Sequence, residues 1–525
     1  MSQLQIAPKK HAPKPASTAP EASRPAGSGD SISGSIGANA RGAAIGKNII
    51  VIGTLKIPLL PLIILIILVL AAIAFFGLRM LGPAKMTGTF NLAVAEFGQV
   101  DASGKVVASS KGEQISRRLF QVLKIELDNL SAADRANFQP QVWQDSLDIT
   151  QKRVTIGVIP GDTAQDRSKA ACRVAHDINA SVVIYGNLPA ESSSDEFIPE
   201  FAVCDNPGLR LDADEIVGSH QLIQGLPVQL LAQLGQPNAD LAVNMQINSW
   251  TGALSLFSIG IMYDLQGRPD LALGTFSKAR DQQLDAGVGG AGQVLWFFIG
   301  REELTLSTSA GQTAVSPLDH SIHLENAQAA FQESIKLDPG YARAHLGLGS
   351  VFFSRAQDLS TQDRLKTNVL SDAIDQYQQA LAGASTSAGA LIEPKARLGL
   401  ASTWILQGEA QRDQGQLGQA ADSFNNAVQA ATAALQPLIA AQEYRVLAQA
   451  YLTLGEAYHE QGHLELLQGN NAASRTAFEN ASANYALCIR QKDAAITDQT
   501  LAEKIVASYC VPYKQSADAS LAGLK

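Results

Sequence analysis

One short stretch of the sequence carries residue types that could perform hydrolytic chemistry. His459, Glu460 and His463 form the spacing HExxH within YHEQGHLELL. On a helix, histidines four residues apart lie on one face, where they could hold Zn²⁺ while Glu460 acts as general base. Glu479 would be the candidate for a third ligand. A zinc peptidase is therefore one possible function.

The surrounding pattern favours a structural interpretation of the same residues. Gly462 matches a turn position that recurs at Gly267 and Gly415, so the helix is expected to end where a peptidase helix must continue. The stretch VIPGDTAQD also lacks the glycine spacing of a phosphate-binding loop. We therefore expect a protein without catalytic residues, without a cofactor and without a bound metal, in which the two histidines are a surface pair.

A spacing of small and aromatic residues occurs twice in the second half of the chain. GEAQRDQGQLGQAADSFNNA, residues 408–427, has the same intervals as GIMYDLQGRPDLALGTFSKA, residues 260–279. A small residue on the first helix of a hairpin lets the second helix approach, and an alanine and an aromatic ring fill the gap. The matched pairs are Gly260 and Gly408, Gly267 and Gly415, Ala272 and Ala420, Phe276 and Phe424, and Ala279 and Ala427.

Weaker copies with polar inserts continue the pattern. They combine Gly300 with Ala327, Phe331, Ser334 and Pro339, then Gly349 and Phe352 with Ala373, Tyr377 and Ala380, and finally Gly455, Tyr458 and Gly462 with Ala481, Tyr485 and Cys488. Residues 252–525 thus resemble tetratricopeptide repeat (TPR) proteins, with about five repeats and a closing helix at 500–509. The resemblance implies an all-α superhelix (an α-solenoid) whose groove binds a protein or peptide partner. A spacer without a ligand is the alternative.

Residues 86–225 have the pattern of a small α/β domain. Strands are predicted at 89–97, 153–161 and 180–188, an antiparallel edge strand at 195–205, and helices at 111–130 and 166–179. The segments NLAVAEF, GEQISRRLFQVLKIEL and VAHDINASVVIYGNL resemble the amino-terminal domain of the TolB translocation protein. This resemblance implies a non-catalytic module. A ligand sensor is a third possible function, and residues 226–251 are expected to be a helical linker.

An uncharged stretch of 22 residues, IPLLPLIILIILVLAAIAFFGL at 57–78, is long enough to cross the lipid bilayer. It forms the core of a predicted transmembrane anchor at 48–81. Seven cations precede the stretch, whereas only Arg79 and Lys85 follow closely, which predicts a cytoplasmic amino terminus and extracytoplasmic domains. Residues 1–47 are expected to be a disordered basic tail. The Gly- and Ile-rich part at 31–53 is expected to be a flexible linker, with a short β-forming segment as the alternative.

Charge and cysteine content narrow the possible partners and compartments. The net charge is −9. Residues 1–47 carry six cations and two acids, hence +4, which leaves −13 on the remainder and argues against nucleic-acid binding. Four separate buried thiols are expected, although a Cys172–Cys204 disulfide stays possible if that domain lies outside the cytoplasm. Together these features predict a bacterial-type, single-pass membrane scaffold at the cell envelope.

Overall fold

The computed structural model describes most of the chain in separate stretches. These are residues 49–52, 55–58, 85–144, 156–190, 196–204, 216–221, 226–227, 241–285, 292–308, 317–384, 391–495, 498 and 501–524. The chain divides into two compact units, Met1–Gly82 and Pro83–Lys525.

The first unit contains a short β-hairpin. Strand β1 (Ile49–Ile52) pairs antiparallel with β2 (Leu55–Pro58), and Ile49 lies opposite Pro58. The first two residues of the predicted membrane helix, Ile57 and Pro58, are therefore strand residues. The remainder of that predicted anchor and the predicted tail at 1–47 lie outside the described residues. No helix among the described residues is long and apolar enough to cross a membrane.

The second unit begins with the α/β region. Its helices are α1 (Ser110–Asp128), α2 (Ala132–Phe138) and α3 (Ala164–Ile178). Its strands are β3 (Asn91–Val94), β4 (Gly98–Val100), β5 (Val106–Ala108), β6 (Gln141–Gln144), β7 (Val182–Tyr185), β8 (Asn187–Leu188), β9 (Glu196–Phe197), β10 (Glu200–Val203), β11 (Gly218–Gln221) and β12 (Leu226–Pro227). The main sheet has the order β11-β10-β7-β3-β6, in which β3 runs parallel to β6 and β7 while β10 runs antiparallel to β7 and β11.

Helices cover both faces of this sheet because side chains alternate along each strand. Leu92 and Val94 of β3 belong to the same buried cluster as Leu119 of α1. Ala93, between them, belongs to the cluster that contains Ala171 of α3. The sheet therefore forms the middle layer of an α/β arrangement.

Two predicted strands differ from the observed ones. In the described part of 153–161 the only strand-like pairing is a single bridge between Glu96 and Val158. The strand beside β3 is instead β6, whose sequence QVWQ has too few apolar residues to predict a strand. The predicted edge strand forms β10, but β11 pairs with its far side, so β10 lies inside the sheet.

The remaining helices form five hairpins, and this array has the predicted TPR-like superhelical fold. A short helix α9 (Thr361–Arg364) lies within the third hairpin. The hairpins are α4 (Leu241–Leu265) with α5 (Pro269–Asp285), α6 (Gln293–Thr308) with α7 (Pro317–Leu337), α8 (Ala342–Asp358) with α10 (Val369–Gly383), α11 (Ile392–Asp413) with α12 (Leu417–Ala441), and α13 (Tyr444–Leu467) with α14 (Asn471–Ala494).

The array ends differently from the prediction at both of its boundaries. Helix α4 begins at Leu241, so the last part of the predicted linker 226–251 belongs to the first hairpin. The predicted closing helix at 500–509 corresponds to a π-helical segment, Leu501–Cys510. That segment continues without a break into α15 (Val511–Gly523).

Candidate functional site

The first helix of each hairpin (the A helix) touches the second (the B helix) through a glycine and an aromatic ring. A methyl group at Gly260 would lie 2.3 Å from Cε1 of Phe276, and one at Gly408 would lie 2.5 Å from Cε1 of Phe424. No larger residue fits without displacing the ring. Gly267 and Gly415 occupy the following turns with φ of +69° and +76°, a backbone conformation that favours glycine.

In the middle of the array, each aromatic ring lies between two glycines from successive A helices. A methyl group at Gly300 or at Gly347 would lie within 3.0 Å of the Phe331 ring. Gly349 and Gly399 contact Tyr377 in the same way. Gly347 and Gly399 were not predicted, although each lies next to a leucine in LGLG or RLGL. The repeats are thus joined by rings shared between neighbours.

The small positions on the B helices are buried. Ala272, Ala279, Ala327, Ala373, Ala380, Ala420 and Ala427 are all at most 1% exposed. Pro339 is exposed in the turn between α7 and α8, and Tyr458 lines a surface cleft with Asn425 and Gln461. The alanines thus fill the helix interfaces, and Tyr458 also packs against the buried clusters that contain Ala457 and Tyr485.

The predicted turn at Gly462 is wrong. Gly462 lies inside α13, which continues to Leu467, and a methyl group there would lie 2.6 Å from Cε1 of Phe478. The turn glycine of this hairpin is Gly469, with φ of +78°. Gly462, Gly469 and Phe478 repeat the intervals of the first copy, so the fifth repeat lies seven residues later than Gly455 suggested. Gly455 makes a second close contact, with Tyr485.

The HExxH residues point to different surroundings on the uninterrupted helix α13. His459 is 9% exposed, and its ring packs edge-to-face against those of His463 and Phe478, with centroids 4.7 and 5.3 Å away. Burial and the neighbouring His463 lower the pKa of His459. Glu460 instead pairs with Arg412, and Glu479 is exposed on α14. Within the described stretches, no group of three or more His, Cys, Asp or Glu side chains could hold a metal ion.

The A helices form the inner side of the array. Successive A helices, α6 with α8, α8 with α11 and α11 with α13, pack against each other. Successive B helices make no comparable contacts in the described part. Because the A helices approach more closely, they lie on the concave side of the superhelix.

A carboxylate cluster, defined as Glu409, Glu456 and Glu460, lies where α11 and α13 meet. Arg412 of α11 pairs with Glu460 of α13, so this ion pair joins two successive A helices. Arg364 of α9 lies 3.3 Å from Glu409, measured from Nη1 to Oε2. Among the described residues, Glu456 has neither an ion pair nor a hydrogen bond.

This environment raises the pKa values of the cluster. Burial raises the pKa of Glu456 to about 7, and the negative charges of Glu409 and Glu460 contribute. The pKa of Glu409 is raised by burial and by Glu460, although Arg364 and Arg412 oppose the shift. The negatively charged form of Glu456 is therefore disfavoured, and a nearby cation would stabilise it.

Two tyrosines complete the surroundings of Glu456. Tyr485 of α14 is fully buried, and its hydroxyl has no hydrogen-bond partner in the part of the chain that the structure describes. Tyr513 of α15 stacks on it, with ring centroids 5.8 Å apart. Burial, followed by the charge of Glu456, raises the pKa of both phenols. The site thus offers a carboxylate without a partner beside two aromatic rings.

The prediction of four separate thiols is also wrong. Cys172 of α3 forms a disulfide with Cys204 after β10, with a Cα–Cα distance of 5.3 Å. Cys488 of α14 forms a second disulfide with Cys510, at 6.1 Å. Cysteines that are 32 and 22 residues apart in sequence meet only through tertiary packing. The second bridge attaches the closing segment to the last hairpin.

Comparisons with known proteins give no family assignment. No family model and no curated protein matches the sequence. Among solved structures, a thermophilic TPR protein of Thermus thermophilus, TTC0263, is similar with 16% identity and a TM-score of 0.28, covering 51% of this chain and 99% of that one. A human IFIT1 dimer with PPP-AAAA has 12% identity and a TM-score of 0.24, covering 62% and 73%.

A monomeric IFIT1 mutant with Gppp-AAAA has 13% identity and a TM-score of 0.24, covering 56% of this chain and 62% of that one. Because these scores are low, the description of this array as TPR-like rests on its own hairpins and their glycine–aromatic contacts.

Proposed function

We propose that the chain is a non-enzymatic, membrane-anchored scaffold whose TPR-like array binds a segment of a protein partner. The observation that carries the proposal is Glu456, a poorly solvated carboxylate without a partner where the A helices α11 and α13 meet. A lysine or arginine side chain of the partner would supply the missing cation. Tyr513, which stacks on the buried Tyr485 and is 37% exposed, would contact its aliphatic part.

The membrane location in this proposal rests on the uncharged stretch 57–78 and on the disulfides. Disulfides form and persist in oxidising compartments outside the cytoplasm. All four cysteines follow the stretch 57–78, which agrees with extracytoplasmic placement of residues beyond 85. The acidic body of the protein favours a basic protein segment over nucleic acid as the ligand.

Photocrosslinking in intact membranes tests the scaffold proposal. Benzoylphenylalanine in place of Tyr513 reports on the surroundings of Glu456, and the same group in place of Glu479 reports on the exposed side of a B helix. We expect one defined protein adduct from position 513 and none from 479. Recovery of no protein from position 513 would favour a spacer without a ligand.

A charge variant then tests the role of Glu456. The substitution Glu456→Gln, combined with the crosslinker at 513, should reduce the yield of the adduct at least fivefold. Glu393→Gln is a matched control, because Glu393 is an exposed residue of α11 that pairs with Arg397. An unchanged yield with Glu456→Gln would show that the partner does not place a cation there.

A further inference from the structure

A cleft of about 290 Å³ lies between the α/β region and the repeat array, and nothing in the proposed function uses it. One wall is the edge strand β11, and the opposite wall comes from the start of α6 and the turn before α8. Its lining consists mainly of polar groups. The residues are Ala164, Ser219, His220, Gln221, Gln293, Val294, Asp338, Gly340, Tyr341 and Arg343.

Three long helices begin at this cleft. Helix α3 starts at Ala164, α6 at Gln293 and α8 directly after Tyr341. No side chain caps the first turn of α8. Free N–H groups and the helix dipole make such ends favourable for an anion, and the side chain of Arg343 adds a positive charge. Asp338, in the turn directly before α8, contributes a carboxylate whose Oδ1 accepts from the Gly340 N–H at 3.0 Å.

Two buried side chains of the cleft give it a specific hydrogen-bonding pattern. Arg343 is 3% exposed and donates to the Val217 carbonyl at 3.2 Å. His220 is 2% exposed, and its Nε2 lies 2.6 Å from the Ile216 carbonyl. A carbonyl only accepts, so Nε2 carries the proton and Nδ1 has the lone pair. Nδ1 has no partner among the described residues.

His220 stays neutral in this environment. Burial and the nearby charge of Arg343 lower its pKa to about 3. Its Nδ1 therefore remains a hydrogen-bond acceptor at physiological pH. A buried acceptor without a donor is costly, which a ligand that carries a hydroxyl or amino hydrogen would relieve.

We propose that this cleft binds a small carboxylate that also carries a hydroxyl or amino group. The carboxylate lies at the start of α8 beside Arg343, and the hydroxyl or amino group donates to Nδ1 of His220. Because β11 belongs to the sheet and α8 to the array, the ligand bridges the two parts of this unit. Binding of a small metabolite in the cleft would thus influence how the repeats are arranged relative to the sheet.

A series of three-carbon compounds tests this pattern by calorimetric titration of the full chain in detergent. L-lactate and L-alanine carry both features, propionate lacks the donor, and 1,2-propanediol lacks the carboxylate. We expect lactate or alanine to bind at least tenfold more tightly than propionate and propanediol. Equal binding of all four compounds, or no binding of any, would overturn the proposal.

Variants of the full chain assign the effect to the cleft. His220→Phe keeps an aromatic ring against Phe298, whose centroid lies 5.5 Å away, and should abolish the preference for lactate over propionate. Gln221→Glu changes an exposed residue at the rim and should weaken lactate binding at least tenfold without disturbing the core. Arg355→Gln, on α8 but outside the cleft, should leave binding unchanged. Unaltered binding by both cleft variants would refute this site.

Discussion

At the scale of single residues, the glycines of the A helices decide whether the hairpins can close. The Phe478 ring fills the space beside Gly462, so a side chain at 462 must displace it. Gly418, near the start of α12, is exposed and has no atom within 4 Å of an added methyl group. A larger residue should therefore lower the free energy of unfolding at position 462 and raise it at position 418.

Gly462→Val should lower the free energy of unfolding by about 3 kcal/mol, because overpacking costs about 1–3 kcal/mol and valine also restricts a helix. Gly418→Ala should raise it by about 0.5–1 kcal/mol, since alanine is the better helix former. Urea unfolding of the full chain in detergent, followed by circular dichroism, measures both. A stable Gly462→Val variant would mean that Phe478 has room to move.

Glu456 gives the protein a pH-dependent stability. Its pKa is raised to about 7 in the folded chain from an ordinary value of 4.5, so the folded state holds an extra proton between these values. The contribution of Glu456 to stability is then largest below about pH 4.5 and falls as the pH rises to about 7. The other titratable and charged side chains around the Glu456 carboxylate are those of Glu409, Glu460, Arg412, Tyr485 and Tyr513.

Glu456→Gln should remove most of this dependence and raise the free energy of unfolding at pH 8 by about 3 kcal/mol, since the pKa rises from 4.5 to about 7 and one pKa unit corresponds to about 1.4 kcal/mol. Unfolding measurements at pH 5, 6, 7 and 8 give the slope of the free energy of unfolding against pH. Glu393→Gln provides the comparison at an exposed site. A slope that is identical in wild type and Glu456→Gln would exclude Glu456 as the titrating group.

At the scale of elements, the α/β sheet and the first two hairpins share one core. Phe257 of α4 packs edge-to-face against Phe201 of β10 and Phe298 of α6, with centroids 5.5 and 5.0 Å away. Phe197 of β9 similarly contacts Trp250. The α/β region therefore packs on the array as a structural part of it.

Phe257→Ala should lower the free energy of unfolding by about 3–5 kcal/mol, because it leaves a cavity in this shared core. Amide hydrogen exchange should show faster exchange in β10, α4 and α6 together. Leu466→Ala is the control, because Leu466 is 43% exposed on α13. Faster exchange confined to α4 would indicate that the sheet folds independently of the array.

At the scale of the whole molecule, the proposed compartment can be tested through the uncharged stretch and the disulfides. Each disulfide joins separate elements, α3 to the end of β10 and α14 to the closing segment. A reducing cytoplasm would keep these four cysteines as thiols. If the proposed topology is correct, the four cysteines should therefore form disulfides in the cell. Free thiols would instead indicate a cytoplasmic location.

The full chain should stay with membranes after an alkaline carbonate wash, whereas a chain lacking residues 57–78 should be released. The four cysteines should react with an alkylating reagent only after reduction of the denatured protein. Protease added to the extracytoplasmic side should digest residues beyond 85. Release of the full chain by carbonate would exclude the anchor, and four freely alkylated thiols would exclude the topology.

Local patterns in the sequence determined most of the secondary structure. Spacings such as Gly260 to Phe276 predicted the TPR-like array, and apolar periodicity predicted α1 and α3, because each depends on residues one or two helices apart. The same reasoning misplaced the fifth turn, because Gly455 and Gly462 both have the small size that helix packing requires.

Only the tertiary structure decided which distant residues meet. The two disulfides, the shared core around Phe257, the isolation of Glu456 and the cleft at His220 each combine elements that are far apart in the chain. Their side chains have no fixed spacing, because the approach of helix and strand faces depends on the packing of the whole unit. Local sequence therefore specifies the repeating hairpin, while the burial and charge of the side chains between elements arise from how the hairpins and the sheet stack.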